Sequence, residues 1–296
     1  MIKNQNHLGG ICMILSVLFF SLMDVLIKIT HEYDVGQVMF SRALFGLIPI
    51  FFLIPRKRLK NFYKTKYVGL HFYRSFVGAI AMYAIFVGLR NLELAEVTSM
   101  AFSGPIWVVI FSIIFLGEKV RFTRWLAVGL GFMGVLVISK PGFDNLNLYY
   151  IFPIIFTLGF AGVCIFIRKL TLAGEPVYLI AFYFSVCSAI FGLFTLPLGG
   201  WLVPSAYDLV LLILIGLFGS IANLLLTKSY QLAEVTLTTP LKYLSLVFAI
   251  IFGFYLFNEI PTYYTLFGAG LIVVSSAIIF VREHQLKKPI TLPRQQ

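Results

Sequence analysis

The chain has 296 residues, of which 60% are hydrophobic and 12% charged, and it carries a formal net charge of +11. Its mean hydropathy is +0.95, whereas a soluble domain has about 25% charged residues, so too few polar groups are present to cover a water-facing surface and lipid must be the solvent. Ten spanning helices of roughly 20 residues each would use most of the chain, which excludes a soluble catalytic domain.

The predicted elements are ten apolar spans, and each must be helical because backbone groups in hydrocarbon have no water to bond. The first covers 8–30 and contains Asp24 and Lys28. Lys3 and His7 precede it as in a signal peptide, but no small-x-small site follows, so it reads as a retained helix. The second, 36–54, carries Arg42. After a basic connection the third, 68–88, carries His71, Arg74 and Tyr83. The fourth, 95–116, contains Pro105 and Trp107 and runs into Glu118; the fifth, 122–140, is glycine-rich. The remaining spans are 148–167, 177–197, 208–227, 235–257, which holds Pro240 and Lys242, and 261–281. Cys12, Cys164 and Cys187 all fall inside spans with no Cys-x-x-Cys pair, which fits neither a disulfide framework nor a metal site.

Lysine and arginine follow alternate connections. With the N-terminus inside, the inside segments hold Lys3, six cations from Arg56 to Lys66, Lys119, Arg121, Arg124, Arg168, Lys169, Lys228 and four from Arg282 to Arg294. The outside connections hold Arg90 and Lys140 alone. Inside loops collect cations, so both termini are expected in the cytoplasm. The basic charge is therefore topological and does not indicate a nucleic-acid partner.

Leu94-Ala95-Glu96-Val97-Thr98 recurs as Leu232-Ala233-Glu234-Val235-Thr236. Each copy opens an apolar helix ending in a glutamate, Glu118 or Glu259, and a glycine-bearing helix follows, with Gly129, Gly131 and Gly134 or with Gly268 and Gly270. The chain thus divides into a five-helix repeat over 8–140, a second over 148–281, and a basic cytoplasmic tail over 282–296. Five is odd, so the second copy enters the membrane from the opposite side. Inverted repeats are a common architecture of secondary transporters, with the substrate site near the midplane between the halves.

This layout resembles the drug/metabolite transporter superfamily, specifically its EamA-type ten-helix carriers. The resemblance rests on Gly104-Pro105-Ile106-Trp107 through Leu116-Gly117-Glu118, and on Leu241-Lys242-Tyr243 through Phe257-Asn258-Glu259. Asn258 stands where the family usually has glycine. Within the family the chain looks most like the S-adenosylmethionine uptake carriers of obligate intracellular bacteria, which implies that substrate and a bacterial inner membrane. The resemblance, and not the residue pattern, selects this ligand.

Ionisable groups inside spans are costly and face the bundle interior. Helical rise puts Asp24 about 8 Å and Arg42 about 5 Å outside the midplane, so the two are expected to pair. Arg74 and Lys242 sit about 6 Å inside it. His71, a turn nearer the surface, reads as interfacial, and Lys28 as a snorkelling structural cation. Four span cations against one carboxylate leave a positive excess that a substrate carboxylate would offset. Trp107, near mid-span, offers a ring to a cationic or planar ligand, and Tyr83 a ring or hydroxyl. Pro105 and Pro240 interrupt equivalent helices, a pointer to the site. Glu96 and Glu234 open helices, where a carboxylate complements the helix dipole, and Glu118 and Glu259 cap neighbouring helices or act at gates.

The expected function is secondary transport of an amino-acid-like metabolite by alternating access, with Asp24, Arg42, Arg74, Tyr83, Trp107 and Lys242 contacting it. Export on the same scaffold is the alternative. No phosphate loop of a primary pump, no His-Glu-x-x-His and no Gly-x-Ser-x-Gly occurs, so neither a pump nor an enzyme is expected, and no cofactor or metal is called for.

Overall fold

The computed structural model describes residues 2–61, 63–104, 107, 122–139, 147–198, 200–232, 241–242 and 244–285. Among the described residues the regular structure is entirely helical. The helices are α1 (Ile2–Ile29), α2 (Val35–Phe52), α3 (Val68–Asn91), α4 (Leu94–Ala101), α5 (Phe122–Ser139), α6 (Ile151–Leu172), α7 (Val177–Leu193), α8 (Ala206–Leu232), α9 (Leu244–Phe257) and α10 (Tyr263–Gln285). Among the described residues these are ten α-helices, each overlapping one of the ten expected spans. Among the described residues six apolar segments are long enough to cross a bilayer by themselves: Leu8–Ile29, Val35–Phe52, Val68–Asn91, Leu148–Ile167, Val177–Leu198 and Ala206–Ser229. The observed helices overrun the apolar runs at several ends; α8 begins two residues before the expected 208–227 run and ends five residues after it. Pro105, Pro240, Glu118, Glu234 and the tail beyond 285 lie outside the described residues.

The packing has a simple rule. Helix α1 packs most extensively on α8, and α3 on α6; α2 packs on α7, α4 on α9, and α5 on α10. The side pairs α2–α8 and α3–α7 follow. Exchanging each helix with the one five positions away maps this set of pairs onto itself. Each helix of the first five thus finds its main partner in the second five, a two-fold relation between contacts.

Small residues make that interface possible. Gly134 of α5 and Gly268 of α10 meet backbone to backbone: a Cβ on either would stand 2.7 Å from the other's carbonyl oxygen. Without a hydrophobic drive between helices in lipid, such close approach supplies the van der Waals contact that holds them. The main apolar core lies between the halves. It joins Met23 and Ile27 of α1, Val38 and Met39 of α2, Met82 and Phe86 of α3, Phe184 of α7, and Leu212 and Ile215 of α8. Outward faces carry apolar side chains such as Phe52, Tyr255, Tyr263 and Phe267, where a soluble protein would place charges.

Candidate functional site

Two arginines enter this core. Asp34 caps α2 by accepting from the Gly36 amide at 2.8 Å, and two turns later Arg42 projects between α1, α3 and α8. Its Nε donates to Met23 Sδ at 3.4 Å and its Nη1 to Met82 Sδ at 2.8 Å. Gly219 of α8 gives it room: a Cβ there would lie 2.8 Å from Arg42 Nε. Thioether sulfurs are weak acceptors, so the guanidinium is buried among groups that solvate it poorly.

Arg74 of α3 is 3% exposed and its guanidinium carbon lies 4.1 Å from the centroid of the Phe184 ring. Arg42 approaches the same ring at 5.7 Å. Helices α2, α3 and α7 therefore bring two cations to one buried aromatic ring. Each cation–π contact contributes on the order of 0.5–2 kcal/mol. A guanidinium is a planar donor fork suited to charge-assisted hydrogen bonds with an anion.

Asp24, half-buried on α1, interacts electrostatically with Arg42. The two do not form a salt bridge, in contrast to the expected pair, because Arg42 turns its donors toward Met23 and Met82 instead. Asp24 is thereby left as a carboxylate beside the cationic pair. The structure places Tyr83 and Lys242 elsewhere. Tyr83 packs 6.0 Å from Phe191 and feels Asp34 and Arg90 near the end of α3. Lys242 Nζ lies 5.3 Å over the Phe160 ring of α6. Trp107 is half-buried, and its indole N–H has no partner among the described residues.

Each end of the bundle is clasped by polar contacts that sequence reading did not assemble. At one end Lys28 forms an ion pair with Glu259 and donates to the Leu92 carbonyl at 2.7 Å. Glu259 also accepts from the Leu94 amide at 3.0 Å, which caps α4. Lys28 is thus a clasp rather than a snorkelling group. Glu259 reaches this position because Asn258 turns the chain with φ of 53°. Asparagine is among the few residues that accept this left-handed conformation, which explains how it can replace the family's glycine. At the same end Asp34 accepts from Thr195 at 3.0 Å and Asp208 from Tyr33 at 2.8 Å; the latter bond raises the Tyr33 phenol above its ordinary range.

The opposite end repeats the pattern. Glu175, just before α7, accepts from Thr65 at 2.8 Å and lies 3.2 Å from His71 Nε2. Asp34 and Glu175 occupy equivalent junctions in the two halves, and Thr195 and Thr65 equivalent connections, so the same carboxylate–threonine contact closes both ends. His71 is fully buried. Among the described residues no group of three or more His, Cys, Asp or Glu side chains could hold a metal.

Ten apolar helices paired across an internal repeat, with buried cations at the crossing and clasps at each end, define a multi-pass membrane transporter. The sequence profile of the EamA-like transporter family matches residues 7–140 and again 147–281, and the chain belongs to that family. Among its relatives it is 29% identical to an S-adenosylmethionine uptake transporter of Rickettsia conorii, over 94% of this chain and 95% of the relative. It is also 26% identical to a riboflavin transporter of Rhizobium johnstonii, covering 95% and 92%. A pseudopaline exporter, CntI, of Pseudomonas aeruginosa is 27% identical over 90% and 94%. A solved crystal structure shares the fold with a TM-score of 0.63 at 15% identity, covering 96% of this chain and 98% of its own.

Proposed function

We propose that this transporter takes up S-adenosylmethionine by alternating access, with exchange for an internal metabolite as one mode, across a bacterial inner membrane with both termini in the cytoplasm. The observation that carries the reading is the convergence of Arg42 and Arg74 on Phe184 with Asp24 beside Arg42. That arrangement fits a ligand with both a carboxylate and cationic groups. The arginines hold the carboxylate, Asp24 answers the ammonium or sulfonium, and aromatic faces, Phe184 and Trp107, accept the adenine or the sulfonium. Lys242 and Tyr83 line the path on either side of this centre. Similarity to the Rickettsia carrier supports this substrate, and the riboflavin and pseudopaline relatives show how widely cargo varies on the scaffold. The halves 8–140 and 148–281 act as the two rocking units, with the basic connection around Arg56–Lys66 on the cytoplasmic side.

Uptake of a labelled panel by cells expressing the chain tests this. Accumulation of S-adenosylmethionine, competed by unlabelled compound and lost in Arg74→Gln, is expected. Accumulation of a different amino-acid-like metabolite with no effect of S-adenosylmethionine would replace the substrate.

A further inference from the structure

The buried imidazole at the first turn of α3 has no part in holding substrate, yet its surroundings are built around one protonation state. His71 Nε2 lies 3.2 Å from Glu175 Oε2, whose other oxygen is held by Thr65 Oγ1 at 2.8 Å. The ring stacks on Tyr183 of α7 at 4.6 Å, and Tyr183 is tied in turn to the Tyr63 carbonyl at 2.8 Å. On the other side of the ring Nδ1 is buried with no hydrogen-bond partner among the described residues. The charged groups that act on it are Glu175, from the α6–α7 connection, and Arg74, one turn along α3.

This geometry suits a neutral ring. With Nε2–H donating to Glu175, Nδ1 is an unprotonated acceptor, and leaving an acceptor lone pair unmet is tolerable. A second proton on Nδ1 would create a buried cationic donor with no acceptor among the described residues, which is far more costly. The protonated ring therefore favours an arrangement in which Nδ1 reaches water. That requires separating the segment around Tyr63–His71 from Glu175 and Tyr183, the clasp that closes this end. By linkage, whatever opens the clasp raises the ring's hold on a proton, and a proton on the ring opens the clasp. Tyr183 and Phe184 are adjacent on α7, and His71 and Arg74 are one turn apart on α3. The His71–Tyr183 stack and the Arg74–Phe184 contact are thus successive rungs between the same two helices, so the clasp and the arginine pair move together.

We propose that His71 is the proton-binding site that couples substrate movement to pH, with Glu175 positioning its Nε2–H and the end of the bundle at Thr65, Glu175 and Tyr183 opening when Nδ1 is protonated. The proposal takes the arginine pair as the substrate site, as above, but does not depend on which metabolite is carried.

The test has one arm free of substrate. In protein labelled with 15N-histidine and held in nanodiscs, the ring resonances are followed from pH 5 to 8, and the signals missing from His71→Gln identify His71. The proposal expects His71 to convert from neutral to protonated within that interval, and to do so at more acidic pH in Glu175→Gln, where the neighbouring carboxylate charge is gone. A His71 ring that stays in one state throughout overturns it. In the second arm, labelled S-adenosylmethionine uptake into proteoliposomes is measured across the same interval. Wild type should change at least several-fold, while His71→Gln, which keeps an N–H donor toward Glu175, should transport with a flat profile. An unchanged pH profile in a transporting His71→Gln overturns the coupling role. Titration of His71 with no S-adenosylmethionine uptake at any pH would refute the substrate and leave the proton site standing.

Discussion

The clasp between Lys28 and Glu259 allows a quantitative test of how this bundle is held shut. It joins α1 to the end of α9, and both partners also bind the α3–α4 junction through Leu92 and Leu94. In Glu259→Gln the amide oxygen can still accept from Leu94, so the helix cap largely survives. Lys28, however, is left without its counter-ion. Breaking a fully buried pair costs about 3–5 kcal/mol. The two side chains are 14% and 16% exposed, and water at that margin reduces the figure to roughly 2–3 kcal/mol. If the pair exists only when this end is closed, the closed-to-open ratio falls by about 30- to 150-fold. The assay is reaction of a membrane-impermeant maleimide with Leu92→Cys, a position 5% exposed, in a background whose native cysteines are serine. The labelling rate should rise by that factor in Glu259→Gln and return to within a few-fold of the parent in Lys28→Met with Glu259→Gln, where no unpaired charge remains. A rate within two-fold of the parent in the single variant would refute the clasp.

Three further outcomes follow from particular contacts. Asp24→Asn with Arg42→Gln should reach the membrane in normal amount, because both charges leave the core together, yet should fail in uptake; restored uptake would make the pair structural. Gly134→Val should lower thermal stability in detergent by about 1–3 kcal/mol, since its side chain meets the Gly268 carbonyl and overpacking of this kind has that cost, whereas Gly129→Ala, with open space at the Cβ, should be silent. Asn258→Val should destabilise by roughly 1–2 kcal/mol because of its left-handed backbone, while Asn258→Gly should not, as judged by the same melting experiment.

The spans were legible because lipid imposes length and apolarity on every helix, and both can be counted along the chain. The repeat was legible through one short recurrent segment, Leu94–Thr98 and Leu232–Thr236, whose first copy opens α4. Arg42 and Arg74 could be singled out because a charge in a span has few explanations. Their aromatic partner could not. Phe184 is one of 31 phenylalanines, and its role comes only from the α2–α7 and α3–α7 contacts that cross between halves. Depth along the helix axis put Asp24 and Arg42 at similar heights but gave no rotation about that axis, so a salt bridge was expected where Met23 and Met82 receive the guanidinium. Depth likewise places His71 near the surface but says nothing about burial, which comes from the α6–α7 connection, carrying Glu175, folding over it. Glu259 was assigned a capping or gating role from its position at a helix end, and the structure supplied its two partners.

On the proposed reading, the arginine pair draws an amino-acid-like, sulfonium-bearing substrate through an ATP-independent carrier. Purified protein in liposomes preloaded with unlabelled S-adenosylmethionine, given labelled compound outside and no ATP, measures this directly. Saturable counterflow is expected in wild type and is lost in properly inserted Arg74→Gln; counterflow that persists undiminished in Arg74→Gln, or that needs ATP, would rule this mechanism out.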